Sequence, residues 1–369
     1  MRHQILLFFA LVFISFSCTK KSENSTPIID FEELIADTLV LEKDMNLARI
    51  SPSLTYAQTD SGEFLLDFIK LHLVGFHYPE GNKAFERFYF PEGPDGLGST
   101  SFKNEITPKG IYVIDADSKI HLAGFDSKVI QSWKLPETPE GRLYSNYTVM
   151  AGNRISKIGN ELLIADVPYV LNENIIDFQD WVLKYNLEDS TWDYISFPYP
   201  AFMREFYDDP NLGTYTHFFN PENQESIVSF PVLDSLMIIK DQSISWKDAS
   251  PKEPLIFKKG KTVPSGEFIA FEPDHDSGRY TWIDYDPYQK IYLRHALSGL
   301  KPEGSDPEHP YYEKLILLNK RLEKIAELEN LPNSHRGFAT PDGYYFYLGF
   351  GAVEEEVLYV KLDFSKISR

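Results

Sequence analysis

Between residues 110 and 136 the sequence spells out a small antiparallel sheet, and the same local grammar returns along the chain. Ile111-Tyr112-Val113-Ile114-Asp115 is an apolar strand and Asp117-Ser118-Lys119 a turn. Residues 120–125 alternate as a second strand, Asp126-Ser127-Lys128 turns again, and 129–135 runs out to Pro136. Aspartate and serine hydrogen-bond to the backbone of a tight turn, so three strands in so short a stretch read as a meander.

Further copies fall at 63–69, 71–78 and 84–90; at 161–166, 181–186 and 191–197; and at 235–240, 243–246 and 255–258. Others fall at 280–285, 290–295, 314–319 and 324–328, and the last pair at 343–350 and 357–364. A spacing of about 40 to 65 residues suits propeller blades of four strands joined by loops of unequal length. The last copy lacks an outer strand, while Asp37-Thr38-Leu39-Val40-Leu41-Glu42 is a strand without a neighbour near the N-terminus. Donating it to the last blade removes two sheet edges and closes a ring. The expectation is an all-β chain: a β-propeller of about six four-stranded blades, closed by an N-terminal strand. Segment 311–330 is ambiguous. Leu315, Leu318, Leu322 and Ile325 have helical spacing, whereas the repeat register makes the segment two strands around Asn319-Lys320-Arg321. The register is preferred.

The N-terminus has its own logic. Arg2-His3-Gln4 is polar and basic, 5–16 is almost wholly apolar, and Ser17 precedes Cys18. This is the layout of a secretory signal, too short for the roughly 20 residues of a membrane-spanning helix. A cysteine directly after the small residue resembles the lipobox of bacterial lipoproteins, with Ser15 and Phe16 departing from its commonest form. The plan is therefore a signal peptide over 1–17, a lipidated tether over 18–30 and one propeller domain over 31–369. Cys18 is the only cysteine, which excludes an intrachain disulfide, a thiol nucleophile and thiolate metal sites. With 36 basic against 55 acidic residues the net charge is −19, and no basic cluster offsets it. Such a surface repels phosphate backbones, so nucleic acid is not an expected partner.

Phe88 to Gly98 contains the turn Glu92-Gly93-Pro94-Asp95-Gly96-Leu97-Gly98, followed by the strand Ile111-Tyr112-Val113. Both resemble features of a Bacteroidota lipoprotein family known only as a domain of unknown function, as does the layout from Cys18 to the C-terminus. The resemblance implies a six-bladed propeller of the NHL or TolB-like kind, an exported protein and no particular activity.

No nucleophile elbow, zinc-protease helix, P-loop or dinucleotide fingerprint is present. Three weaker constellations remain. Asp274-His275-Asp276 offers oxygen and imidazole donors beside Gly278, with Arg279 and Tyr280 following, and a divalent cation is the cofactor it would take. The same residues also make an ordinary solvated turn. The long segment 201–225 carries Arg204, Tyr207, Asp208, Asp209, Tyr215 and His217, types that can stack on and hydrogen-bond a glycan or form a protein interface, or simply cover the core. Arg336, at the start of the last blade, could bind an anion at the axis or pair with a neighbouring carboxylate. His72, His77, His121 and His295 fall in strands and read as structural.

The expected function is a binding or scaffold module, anchored to the envelope membrane by lipid on Cys18, for a glycan, peptide or partner protein. The alternatives are an envelope hydrolase or lyase with an axial, metal-assisted site, and a structural subunit of an outer-membrane complex. The balance leans away from an enzyme, and the outer membrane is the expected location.

Overall fold

Apolar β-formers alternate with turn residues, and each run pairs with the next. The computed structural model describes residues 26–43, 47, 49–98, 103–137, 153–165, 178–266, 268–301, 311–332, 335–351 and 355–367. Cys18 and residues 1–17, read from the sequence as a signal peptide, lie outside the described residues.

Blade 1 contains Thr55–Thr59, Gly62–Ile69, His72–His77 and Lys83–Phe88. Blade 2 contains Lys103–Thr107, Gly110–Ile114, Lys119–Ala123 and Val129–Lys134. Blade 3 contains Ile155–Ile158, Glu161–Ala165, Asp180–Asn186 and Trp192–Ser196. Thr216–Asn220, Glu225–Ser229, Ser235–Lys240 and Ser243–Asp248 form blade 4. Blade 5 holds Gly278–Asp286, Ile291–Leu300, Tyr311–Leu318 and Lys324–Glu329, with Ile28–Asp30 added in parallel on its outer edge. Blade 6 consists of Gly337–Thr340, Gly343–Phe350 and Glu356–Leu362, and its outer strand is Ile35–Glu42 from the N-terminus. The protein is a six-bladed β-propeller closed in the way the spare strand implied.

Three details correct the sequence reading. Thr216–Asn220, placed in a long insert, is the inner strand of blade 4, because its alternating aromatics pair with Glu225–Ser229. Residues 255–258 form no strand. They touch the start of blade 5 through separate bonds, Gly278 N–H to the Ile256 carbonyl (2.7 Å) and Lys258 N–H to Ser277 Oγ (2.9 Å). Ile28–Asp30, assigned to the tether, is a strand. Segment 311–330 is two strands, as the repeat register required, because burial of Leu315, Leu317 and Leu318 in the sheet outweighs helix propensity.

The turns follow the predicted chemistry. Asp115 Oδ1 accepts the Lys119 N–H (2.8 Å) and Asp189 Oδ1 that of Thr191 (3.0 Å), while Ser118, Ser127 and Ser190 adopt φ of 57°, 66° and 60°. The core divides into six apolar clusters, one at each junction of neighbouring blades. The cluster that unites Leu65, Val74 and Phe76 of blade 1 with Tyr345 and Tyr359 of blade 6 also takes in Leu39 and Leu41 of the closing strand. Each fully buried side chain of this kind is worth roughly 1.5–3 kcal/mol.

The two ends of the ring differ. At one end, first strands turn into second strands and third into fourth, through segments such as 60–61, 108–109, 124–128, 187–191 and 319–323, none longer than five residues. At the other end the described strands of one blade end and those of the next begin, joined by 43–54, 89–102, 135–154, 197–215 and 249–277. The last of these contains a hairpin, Lys261–Ser265 with Phe268–Glu272.

Candidate functional site: the axial channel and the long-link face

Each inner strand is paired on one edge only, and its other edge faces the hole in the ring. The residues along these strands are accordingly half-buried, among them Tyr56, Asn104, Glu105, Ser156, His217, Phe218 and Asp284. Aligned on the last residue of the inner strand, Lys103, Arg154 and Arg336 occupy one position, four residues before Thr107, Ile158 and Thr340. Three cations thus share one level of the ring, near the long-link end.

Arg154 belongs to blade 3 and Arg336 to blade 6, which stand opposite each other in a ring of six. Burial, and then repulsion from Arg154, brings the Arg336 guanidinium down to about 10. Arg154 follows Asn153, whose side chain accepts the His217 N–H (2.7 Å) and donates to the Tyr215 carbonyl (3.3 Å). The Arg336 guanidinium lies 5.9 Å from the Trp282 ring, and Trp282 stacks on His295 at 5.1 Å. His295 is fixed by Thr281 Oγ1 at 2.6 Å and Glu313 Oε2 at 2.9 Å. Lys103 donates to the Ala165 carbonyl.

Two carboxylates share the channel. Burial pushes Glu105 up to about 7 against the opposing pull of Arg154, so near neutral pH it exchanges its proton readily. The Tyr344 hydroxyl donates to Asp284 Oδ2 (3.0 Å) while accepting the Gly337 N–H (2.9 Å). His217 contacts Ser226 Oγ through Nε2 (3.1 Å), and burial pushes it down to about 3, leaving it neutral at pH 7.

A second concavity opens on the same end of the ring. Glu253, Leu255 and Ile256 of the 249–277 link face Tyr312, Glu313 and Lys314 of blade 5 across a cleft of about 450 Å³. Ile256 and Tyr312 are 67% and 50% exposed there, which leaves an apolar rim beside charged groups.

The residues singled out from the sequence scatter. Arg336 and His217 reach the channel. Asp209 is buried and caps its own loop, accepting N–H groups from Asn211, Leu212 and Gly260. Tyr215 is fully buried among Trp181, Phe197 and Phe230, and Tyr280 donates to Asp234 (2.7 Å) beneath Arg294. Arg204 is exposed on the long-link face, Asp208 pairs with Lys259 at 2.5 Å, and that lysine lies 5.8 Å from the Tyr207 ring. Arg279 lies over Tyr311. Asp274 caps the Asp276 N–H (3.0 Å), Asp276 pairs with Lys258 (3.1 Å) and lines the cleft, and His275 is exposed. Among the described residues no group of three or more His, Cys, Asp or Glu could hold a metal ion. His121 and His295 are structural, each joining a carboxylate to a hydroxyl: Asp115 to Ser132, and Glu313 to Thr281.

Glu105, Arg154, Trp282, Asp284 and Tyr344 were not visible as a set in the sequence. The signal that could have found them is the shared inner-strand position of Lys103, Arg154 and Arg336, which requires the inner strands to be located first.

No family model matches the chain, and no curated protein matches it. Among solved structures it is similar to a member of the duf4221 family from Bacteroides vulgatus, with a TM-score of 0.67 at 17% identity over 89% of this chain and 97% of that one. It is also similar to a Bacteroides fragilis protein described as exported, with a TM-score of 0.55 at 11% identity over 91% and 97% of the two chains. These similarities support the propeller. They also accord with the resemblance drawn from the Phe88 to Gly98 turn, to a Bacteroidota family of unknown function with this layout.

Proposed function

We propose that the protein is an exported, lipid-anchored binding module of the cell envelope, taking a glycan, peptide or partner protein on its long-link face. The observation that carries this reading is the segregation of connections: every link longer than five residues leaves and re-enters the described strands at one end of the ring. Long loops on a rigid scaffold are where propellers and other β-folds carry recognition. Cys18 after an apolar leader supports the anchor, and the exported Bacteroides protein of similar fold supports the location. Replacing Cys18 by Ala should move the folded protein from the membrane to the soluble fraction. Retention at the membrane would remove the lipid anchor from this reading.

The binding face is tested by crosslinked capture from native membranes. Phe202→Glu and Ile256→Glu, both on exposed side chains of the long-link end, should abolish capture, whereas Arg321→Glu at the tight-turn end should not. The same loss from all three variants would remove the assignment of the face. A second reading, an envelope hydrolase or lyase acting at the axis, is favoured by Glu105 alone, whose carboxyl titrates near neutrality as a general acid or base should.

A further inference from the structure

The cleft beside blade 5 has fixed walls and an exposed apolar face. On one side the 249–277 link is pinned at two points. Glu327 Oε2 accepts the Lys252 N–H (2.6 Å) and Lys324 Nζ donates to the Ser250 carbonyl (2.9 Å). Further along, the Ile256 carbonyl accepts the Gly278 N–H (2.7 Å). Glycine lets the link lie this close, since a Cβ at 278 would stand 3.1 Å from both Leu255 Cβ and the Leu297 carbonyl oxygen. Leu255 enters the core between blades 4 and 5, whereas Ile256, displayed by the same fixed backbone, is largely exposed. On the other side Tyr312, half exposed, stands on the same face of its strand as Lys314. Lys314 is buried at the base of the cleft and pairs with Glu327 at 2.9 Å, so the base is neutral.

Charge decides what such a cleft takes. Glu253, Asp276 and Glu329 line it with exposed side chains, in a chain of net charge −19. Lys258 offsets Asp276 (3.1 Å) and Lys301 adds one positive charge, which leaves the rim acidic. An apolar cleft with an acidic rim is complementary to a side chain that is apolar along its stem and cationic at its tip. Arginine suits it best, because guanidinium both stacks on tyrosine and pairs with carboxylates. One residue away, Arg279 already lies over the Tyr311 ring, 5.9 Å from its centroid. The volume of about 450 Å³ falls within the range of about 300–1,000 Å³ usual for ligand pockets, which leaves room for an apolar neighbour as well.

We propose that this cleft binds an arginine side chain and its apolar neighbour on a basic segment of a partner protein. This rests on the reading of the long-link face as the binding face, and gives the partner its chemistry. The two fail separately: if Phe202→Glu abolishes partner capture while Glu253→Gln combined with Glu329→Gln leaves it unchanged, the face stands and the cleft falls.

The test is to pan random heptapeptides displayed on phage against the full-length protein in detergent, and to measure the enriched peptides, made synthetically, by fluorescence anisotropy. Those that enrich should carry arginine next to an apolar residue. Tyr312→Ala should weaken their affinity at least about tenfold, as removal of a central aromatic contact does. Glu253→Gln combined with Glu329→Gln should weaken it several-fold and flatten its dependence on salt. Arg321→Gln, at the tight-turn end, should leave it unchanged. The altered side chains are all exposed, so none of these changes disturbs the core. The site is refuted if no peptide enriches, if the enriched peptides are neutral or acidic, or if either the tyrosine change or the paired glutamate change binds them as tightly as wild type.

Discussion

Arg294 shows how far a single residue can organise this ring. It is fully buried, and its guanidinium donates to Ser229 Oγ and to the carbonyls of Leu233 (2.6 Å), Asp234 (2.7 Å) and Ala249 (3.1 Å), while its carbon lies 3.4 Å from the Tyr280 ring centroid. One side chain of blade 5 thereby fastens two connections of blade 4, 230–234 and the start of the 249–277 link. Arg294→Met keeps the volume but strands the Leu233 and Ala249 carbonyls, at about 1–3 kcal/mol for each buried orphan, while the Asp234 carbonyl keeps the Ala249 N–H (3.0 Å). We expect a loss of at least ~3 kcal/mol in urea unfolding; a loss below ~1 kcal/mol would show that water satisfies the carbonyls instead. Glu105 and His217 act through protons. Glu105 has a folded value of about 7 against an ordinary 4.5, so between these the folded state keeps a proton that the unfolded state has released. Stability from this group therefore falls as pH rises through that window. Glu105→Gln should raise Tm at pH 8 and match wild type below about pH 4.5. His217 runs the other way: its folded value of about 3 lies below the ordinary 6.5, so stability is lost as pH falls from 6.5 towards 3. His217→Gln should flatten that acid limb, and an unchanged limb would assign it to other groups.

At the level of strands and turns, the closing strand is the element on which the ring depends. Its Glu42 N–H donates to the Gly81 carbonyl in the third turn of blade 1 (3.2 Å), tying the last blade to the first. Gly81 has a φ of +81°, and a Cβ there would stand 1.9 Å from the Val40 carbonyl oxygen. Only glycine allows the turn to approach so closely. Gly81→Ala should lower the unfolding midpoint and speed amide exchange over residues 37–42 more than elsewhere. Uniform acceleration would instead mean that the ring opens only by global unfolding. The inner strands explain what the sequence hid. Thr55–Thr59, Lys103–Thr107 and Ile155–Ile158 are short, and one edge of each faces the channel, so they lack the clean alternation of a strand between two apolar layers. Glu105 and Arg154 sit on or beside two of these strands, which is why they were not legible, whereas Arg336 lies next to a blade the sequence does mark.

Considered whole, the molecule is a ring of six interfaces with no single centre, and its N-terminal segment spans two of them. Ile28–Asp30 adds to blade 5, Phe31 and Leu34 enter the cluster between blades 5 and 6, and Ile35–Glu42 completes blade 6. Removing residues 1–25 leaves this clasp intact and should give a cooperatively folding protein. Removing residues 1–42 exposes the edge of Glu356–Leu362 and uncovers two apolar clusters, so it should aggregate or unfold at lower temperature. Equal stability of the two truncations would show that the ring does not need its closing strand.

The sequence by itself determined the fold class, the approximate blade number and the closing strand, because burial at each blade junction imposes strand-length apolar runs and Asp/Ser turns that repeat along the chain. It also carried the apolar stretch 5–16 and Cys18, on which the proposed anchor rests. Only the tertiary structure decided the site. Arg154 and Arg336 are far apart in sequence and stand on opposite blades, and their relation exists only once the ring has closed and placed them on one level of a common channel. The same closure took Tyr215, Tyr280 and Asp209 out of contention as surface ligands, since a chain cannot show which of its aromatics will be needed to fill the junctions between blades.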